Sequence, residues 1–213
     1  MSSVLPELTL AQQRTLATFD VSRETQERLE IYHQLLVKWQ RTINLIGPET
    51  LAHAWERHFI DSAQLQPLLE DRKSIIDLGS GAGFPGLILA IMSTSQVHLV
   101  ESDRRKVAFL RTVARTTDTH NVHIHASRLE QLSLERMDAV TARALAPLPL
   151  LLTMAVRFQQ PNTLMVFPKG SSLHRELTEA KKEWHINYDI VPSCSDPNGL
   201  ILRIFEARRE RQG

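Results

Sequence analysis

The sequence predicts an α/β protein, with a mostly parallel sheet that ends in a C-terminal antiparallel hairpin and follows an N-terminal helical extension. Three observations carry this prediction. From Ser74 onward, short apolar runs alternate with longer amphipathic ones, the texture of parallel strands joined by covering helices. From Ser22 to about Leu69, apolar side chains recur at three- and four-residue steps, which is a helical period. The last two strand-like runs are joined by a short turn-rich segment, the signature of a hairpin.

The elements follow in order. From Ser22 to about Leu69 the chain reads as helix, with Leu29, Tyr32, Leu35, Leu36 and Trp39 on one stripe. "GPETLAHAWERHF" then opens a second helix, with Pro48 near its first turn and Leu51, Trp55, His58 and Phe59 on one side. Residues 1–70 are therefore assigned to a helical extension and residues 71–213 to one compact α/β unit. In that unit the expected strands are "SIIDL", "VHLVE", "VHIHA", "MDAVTA" and "TLMVF", with "GLILAIM" and "DRRKVAFLRTVARTTD" as helices between them. The hairpin is "INYDIVPS" and "GLILRIFEA" around "CSDPN", and the tail "ARRERQG" is expected to fray.

A chain of 213 residues with 42% hydrophobic content can bury one proper core. The single cysteine, Cys194, excludes an internal disulfide framework and fits a reducing compartment. The opening "MSSVLPELTLAQQ" has no basic region followed by an apolar run, and no stretch reaches the ~18 apolar residues of a membrane span, so a cytoplasmic protein without membrane contact is expected. A net charge of +1 gives no global drive toward nucleic acid, so such a partner has to be met by a local patch.

Four of the eight glycines lie between Gly79 and Gly86, directly after the strand-like "SIID" and before a helix. That is where a doubly wound sheet binds a nucleotide-like ligand. Two readings compete. Gly81, Gly83 and Gly86 match G-x-G-x-x-G, the dinucleotide fingerprint, whereas Asp77, Gly79, Gly81 and Gly83 match the acid-x-G-x-G-x-G loop of S-adenosylmethionine (AdoMet) enzymes. Asp77 at the strand end favours the second, because a carboxylate there suits a cationic or hydroxyl-bearing ligand better than pyrophosphate. Glu101 ends the second strand where an acid accepts from ribose hydroxyls, in either cofactor class. A dehydrogenase also usually needs a further catalytic domain, and the chain leaves no room for one.

The runs "WQRTINLIGPETLAHAWERHFIDSAQL", "IIDLGSGAGFPGLILAI", "LVESDRRKVAFLR", "ASRLEQL" and "VTARALAPL", in this order, resemble the ribosomal RNA small-subunit methyltransferase G family, also called glucose-inhibited division protein B. The resemblance runs from about residue 35 to residue 205, and the F-P-G ending of the loop and the "ARALAPL" segment are its most specific parts. The family's usual N-L-T is N-L-I here, and its L-D-S is Ile60-Asp61-Ser62. The resemblance implies a Rossmann-like class I AdoMet-dependent methyltransferase, acting on N7 of a guanine in 16S ribosomal RNA, as free RNA or in the small ribosomal subunit. It also implies cofactor residues: Gly79 at the head of the loop, Phe84 after its last tight glycine, Leu129 and Glu130 after the third strand, and Arg143 after the fourth; Gly81, from the loop spacing, and Glu101, from its strand end, join them as expected cofactor contacts. On this reading Gly79 leaves room for the amino-acid part of the cofactor and Phe84 closes the loop over it. Leu129 packs on the adenine, and Glu130 or backbone beside it accepts from the adenine amine. Arg143 binds either the methionine carboxylate or an RNA phosphate.

Guanine N7 has an in-plane lone pair and no proton, so methylation there needs alignment and no general base. No catalytic residue is therefore expected. Cys194 lies outside any motif, and no N-P-P-Y or D-P-P-Y follows the fourth strand, which argues against the pyrimidine C5 and exocyclic-amine mechanisms. Arg104, Arg111 and Arg115, spaced by seven and four, share one helix stripe in a segment of local charge +4, a candidate RNA contact alongside Lys169. His123 and His125 share a strand face, but no third ligand is near in sequence, and no metal is expected. A monomer is the expected state. Two other functions use the same features: a nicotinamide-dependent oxidoreductase and a catalytically silent RNA-binding assembly factor.

Overall fold

The computed structural model describes residues 8–19 and 21–210. The first seven residues of the opening segment, and the last three of the expected frayed tail, lie outside the described residues.

Seven strands form one sheet in the order β3-β2-β1-β4-β5-β7-β6. β1 (Ser74–Leu78), β2 (Gln96–Glu101), β3 (Val122–Ala126), β4 (Ala139–Thr141) and β5 (Leu164–Lys169) run parallel, with Ile75 opposite both Val97 and Ala139. β6 (Trp184–Pro192) and β7 (Leu200–Arg209) make the expected hairpin, and β7 docks antiparallel on β5. The tail holds together further than expected, since Ala207 to Arg209 pair with Ile186 to Trp184 and Ala207 is buried.

Central strands are apolar on both faces because helices cover both. Ile75, Val97 and Leu99 share one core with α2 (Arg23–Gln40), α4 (Gly86–Met92) and α5 (Arg104–Thr116). Ile76, Leu78 and Val100 belong to the other, with α6 (Leu148–Ala155) and α7 (Leu173–Ala180). Leu29, Tyr32 and Leu36 of the expected stripe are buried in the first core, so the N-terminal helices complete one face of the sheet. A further helix, α1 (Leu10–Ala17), starts at Thr9, whose hydroxyl accepts from the Gln12 N–H while the Gln12 side chain accepts from the Thr9 N–H.

The segment after Pro48 is not the single regular helix that its spacing predicts. It is a 3-10 turn (Pro48–His53), a π turn (Trp55–Ile60) and a last short piece, α3 (Asp61–Ala63). His58, Phe59 and Ile60, three successive residues, are all buried, more than a regular amphipathic stripe puts inside. π turns of this kind concentrate at functional sites. Among the described residues no helix is long and apolar enough to cross a membrane.

Candidate functional site

The strand order reverses between β1 and β4, which opens a crevice at the carboxyl ends of these strands. The glycine loop follows β1. Gly79, Gly81 and Gly83 have φ of 66°, 58° and 100°, in the left-handed region that favours glycine. The loop is tied down at several points. The Ser80 N–H donates to Val100 O (3.0 Å) and the Gly81 N–H to Glu101 Oε2 (2.9 Å). The Tyr32 hydroxyl, from α2, donates to Ala82 O. Burial raises the Tyr32 phenol well above its ordinary pKa, so it remains a donor. At Gly86 a Cβ would stand 2.7 Å from Asp77 Cβ, so α4 lies against β1 as only glycine allows. At Gly81 a Cβ would meet nothing nearer than Gly79 O at 3.9 Å. The loop therefore presents bare backbone there, which fits a closely held AdoMet.

Asp77 does not face that ligand. Its carboxylate is fully buried, accepting from the Gly86 N–H (3.2 Å) and the Thr141 hydroxyl (3.0 Å). The first N–H of α4 draws the carboxylate inward, where it serves as the helix cap. Burial pushes its pKa up to about 6, against the pull of those hydrogen bonds and of the Arg143 charge. Phe84 is likewise turned inward and does not close the loop over a ligand. Its ring stacks on Tyr32 (5.3 Å) and His58 (5.2 Å) and meets Phe59 edge-on (5.2 Å). Phe84 thus fastens the loop to the N-terminal helices and leaves its backbone to the crevice.

Glu101 is half-buried, and its other oxygen accepts from the Asp103 N–H (2.7 Å), so it splints the loop to the start of α5. Leu129 is half-buried and Glu130 exposed in the short turn after β3. Arg157, which the sequence reading passed over, holds that turn by donating to Leu129 O (2.7 Å) and Leu132 O (3.2 Å). Gly79 and Gly81 after β1, Glu101 at the end of β2, and Leu129 and Glu130 after β3 lie outside the cavity described next.

Arg143 follows β4 and reaches the crevice as its strand-end position predicts. Its guanidinium lies over the Phe84 ring (5.1 Å) and donates to Arg57 O (2.9 Å), to His58 Nδ1 (2.8 Å) and toward Asp61 Oδ2 (3.4 Å). Because a guanidinium only donates, His58 Nδ1 is the acceptor, and its proton sits on Nε2, which donates to Thr50 Oγ1 (2.8 Å). Burial, then the Arg143 and Arg57 charges, lower the His58 pKa to about 3, so the ring stays neutral. Burial also lowers Arg143, opposed chiefly by Asp61. His58 and Asp61 lie within "ERHFIDS", where the sequence shows only a helix face; a His and an Asp three residues apart were the available signal.

Arg143 and Asp61 line a cavity of about 670 Å³ that extends past the ends of β4 and β5 to the hairpin loop. Leu145 also lines it, and its Cδ1 lies 2.5 Å from where a Cβ of Gly79 would stand, so cavity and glycine loop adjoin. Lys169 is there too. It is not a free surface cation: its ammonium donates to Glu176 (2.8 Å) and to Ala146 O (3.3 Å), with 10% of the side chain exposed.

Arg104, Arg111 and Arg115 lie on the exposed face of α5, opposite buried Val107, Leu110 and Val113, and none is in an ion pair among the described residues. His123 and His125 are joined by His98 of β2, which their sequence spacing hides, with His98 Nδ1 3.0 Å from His125 Nε2. Burial, then the two neighbouring imidazoles, lower His98 to about 4. No group of three or more His, Cys, Asp or Glu among the described residues has the arrangement to hold a metal ion.

Comparison with known proteins follows the same lines. Residues 25–198 match the family model for the rRNA small subunit methyltransferase G. The chain is 52% identical over 191 residues to the ribosomal RNA small subunit methyltransferase G of Rhodospirillum centenum, covering 89% of this chain and 88% of that one. It is 53% identical over 194 residues to the protein of the same name from Rhodospirillum rubrum, covering 91% and 96%. Among solved structures, the O-methyltransferase from Bacillus cereus in complex with SAH superposes with a TM-score of 0.58 at 12% identity, over 96% of this chain and 94% of that one. This last likeness concerns the fold alone, that of class I AdoMet-dependent methyltransferases. Neither the oxidoreductase nor the silent assembly factor finds support in these likenesses.

Proposed function

The chain belongs to the ribosomal RNA small subunit methyltransferase G family, and from this premise we propose that it methylates N7 of a guanine in 16S ribosomal RNA. It is an AdoMet-dependent methyltransferase. When bound, AdoMet supplies a methyl group on a sulfonium; the chain's residues hold, orient and exclude.

The observation that carries N7 is the state of the cavity's titratable groups. His58 is engaged at both ring nitrogens, and Asp61, Glu176 and Asp196 each lie against a cation. A site whose one imidazole is engaged at both nitrogens and whose carboxylates all face cations suits an acceptor with no proton to lose. In the proposed arrangement Gly79 and Gly81 take the amino-acid end of AdoMet by their backbone, with Phe84 contributing backbone only, and Arg143 faces its carboxylate. Glu101, with lone pairs left beyond its two backbone bonds, accepts from the ribose hydroxyls. Leu129 and Glu130 flank the adenine. Arg104, Arg111 and Arg115 meet RNA phosphates, whereas Lys169 acts inside the cavity. The extension assigned to residues 1–70 completes, through its described residues, the first core around the unit 71–213, and the protein works as a cytoplasmic monomer.

The test is methyl transfer from labelled AdoMet into small subunits and into naked 16S RNA. Strand scission after borohydride and aniline treatment then reports N7 methylation of guanine. Label on a pyrimidine or an exocyclic amine would contradict the proposal.

A further inference from the structure

The cavity beyond Arg143 is lined by three cations, Arg57, Arg143 and Lys169, and three carboxylates, Asp61, Glu176 and Asp196. They are paired in advance: Arg57 with Asp196 (2.9 Å), Arg143 with Asp61 (3.4 Å) and Lys169 with Glu176 (2.8 Å). A phosphate entering here would displace carboxylates from their cations. A neutral ligand with donors on one edge and acceptors on another meets no such opposition, and at about 670 Å³ the cavity is of ligand-pocket size. A nucleobase turned out of its stack has these properties.

The three carboxylates differ in what they have left to offer. Glu176 is saturated, accepting from Lys169, from the Leu148 N–H (2.9 Å) and from the Ser172 hydroxyl (2.7 Å). Asp196 sits at the rim, a third exposed, and is held by Arg57 and the Asn198 N–H (2.9 Å). Asp61 lies deeper, with 18% of its side chain exposed. Its Oδ1 accepts from Ser195 Oγ (2.8 Å) and Gln64 Nε2 (3.0 Å), whereas its Oδ2 has only the long Arg143 contact. The hairpin loop sets its orientation, because Gln64 also accepts from the Cys194 N–H (2.8 Å) and donates to Ser193 (3.0 Å). Asp61 is thus an oriented acceptor with spare capacity, beside the arginine that covers Phe84 at the end of the glycine loop.

We propose that Asp61 reads the Watson–Crick edge of the target guanine, its carboxylate accepting from N1–H and from the exocyclic N2 amine. This rests on the reading of the protein as a guanine-N7 methyltransferase and adds the residue that selects guanine. With that edge held by Asp61, N7 on the opposite edge turns toward the glycine loop. Adenine presents an acceptor at N1 and no amine at C2, so the same carboxylate meets a lone pair and is left unpaired.

The experiment uses the full-length protein and splint-ligated small-subunit RNA carrying guanosine or inosine at the mapped position. Inosine keeps N7 and N1–H and lacks only the exocyclic amine. The wild-type protein is expected to favour guanosine by roughly tenfold or more in kcat/KM, the worth of a hydrogen bond to a charged group. In Asp61→Asn, whose amide oxygen replaces a charged acceptor, kcat/KM falls and the preference shrinks to about threefold or less. Protection by S-adenosylhomocysteine in a thermal shift is retained, which shows that the variant is folded and still takes the cofactor. Ser195→Ala, which removes one bond to Oδ1 and leaves the carboxylate, keeps the wild-type preference. A wild-type protein that treats guanosine and inosine alike overturns the proposal, whether or not the variants fold. So does an undiminished preference in Asp61→Asn. Absence of label in guanosine RNA with the wild-type protein overturns instead the methyltransferase reading beneath it.

Discussion

Arg143 ties the chain after β4 to residues 57–61 at three points through one planar group: the backbone at Arg57, the His58 ring and the Asp61 carboxylate. A lysine keeps the charge but not the fork. Arg143→Lys is expected to cost about 1–3 kcal/mol in urea unfolding, since it strands at least one buried acceptor, and to weaken AdoMet binding measured by calorimetry. The pKa shifts nearby predict opposing pH effects. His58, depressed from 6.5 to about 3, gives stability that is complete above pH 6.5 and lost as pH falls toward 3, because only the unfolded chain takes the proton. Asp77, raised from 3.8 to about 6, gives stability that is complete below pH 3.8 and lost as pH rises through 6. Between pH 4 and 6 the two offset one another. Asp77→Asn should therefore lose stability on acidification from pH 6 to pH 4 more steeply than the wild type, and His58→Gln less steeply, as urea midpoints at several pH values would reveal. Arg143 was legible in the sequence because it ends a strand at the ligand edge. Asp61 and His58 were not, because their roles arise where a π turn meets β4, a meeting that no local spacing records.

At the scale of elements, α5 carries the sharpest division of faces, with Val107, Leu110 and Val113 buried and Arg104, Arg111 and Arg115 exposed without ion pairs among the described residues. If this stripe meets RNA, Arg111→Ala with Arg115→Ala should leave the melting temperature within about a degree, as surface changes do. The slope of log K against log salt for RNA binding should fall by roughly 1.4 to 1.8. An unchanged slope would place the RNA elsewhere. The strands were legible because parallel strands covered on both faces read as apolar runs bounded by turns. The π turn was not, since its three successive buried residues violate the period used to find helices. The inward turn of Asp77 was hidden for another reason: a carboxylate before glycines reads equally as ligand contact or helix cap, and only the approach of α4 to β1 decides.

For the whole molecule, the division at residue 70 is one of sequence texture more than of packing. Leu29, Tyr32, Leu36, Trp55 and Phe59 share a core with Leu87, Ile88 and Phe109. A chain beginning at residue 71 is expected to lack a cooperative urea transition and to bind a hydrophobic dye, as a sheet with one uncovered face does. A sharp transition in that fragment would establish an autonomous unit. The fold class was readable because strand alternation, hairpin and glycine loop all point to one architecture. The partnership of the N-terminal helices with the loop was not, because Tyr32 counts in a periodic pattern only as one more apolar position, yet its hydroxyl bonds Ala82 across the fold. That bond bears on the thermodynamics of ligand capture. A loop already fixed by Glu101 and Tyr32 has little disorder left to surrender when AdoMet docks, so the heat-capacity change should reflect the ligand's own buried surface and no folding of chain. Tyr32→Phe removes one of these ties and is expected to move part of the entropic cost of fixing the loop from folding to cofactor capture, a less favourable binding entropy that calorimetry with AdoMet would report.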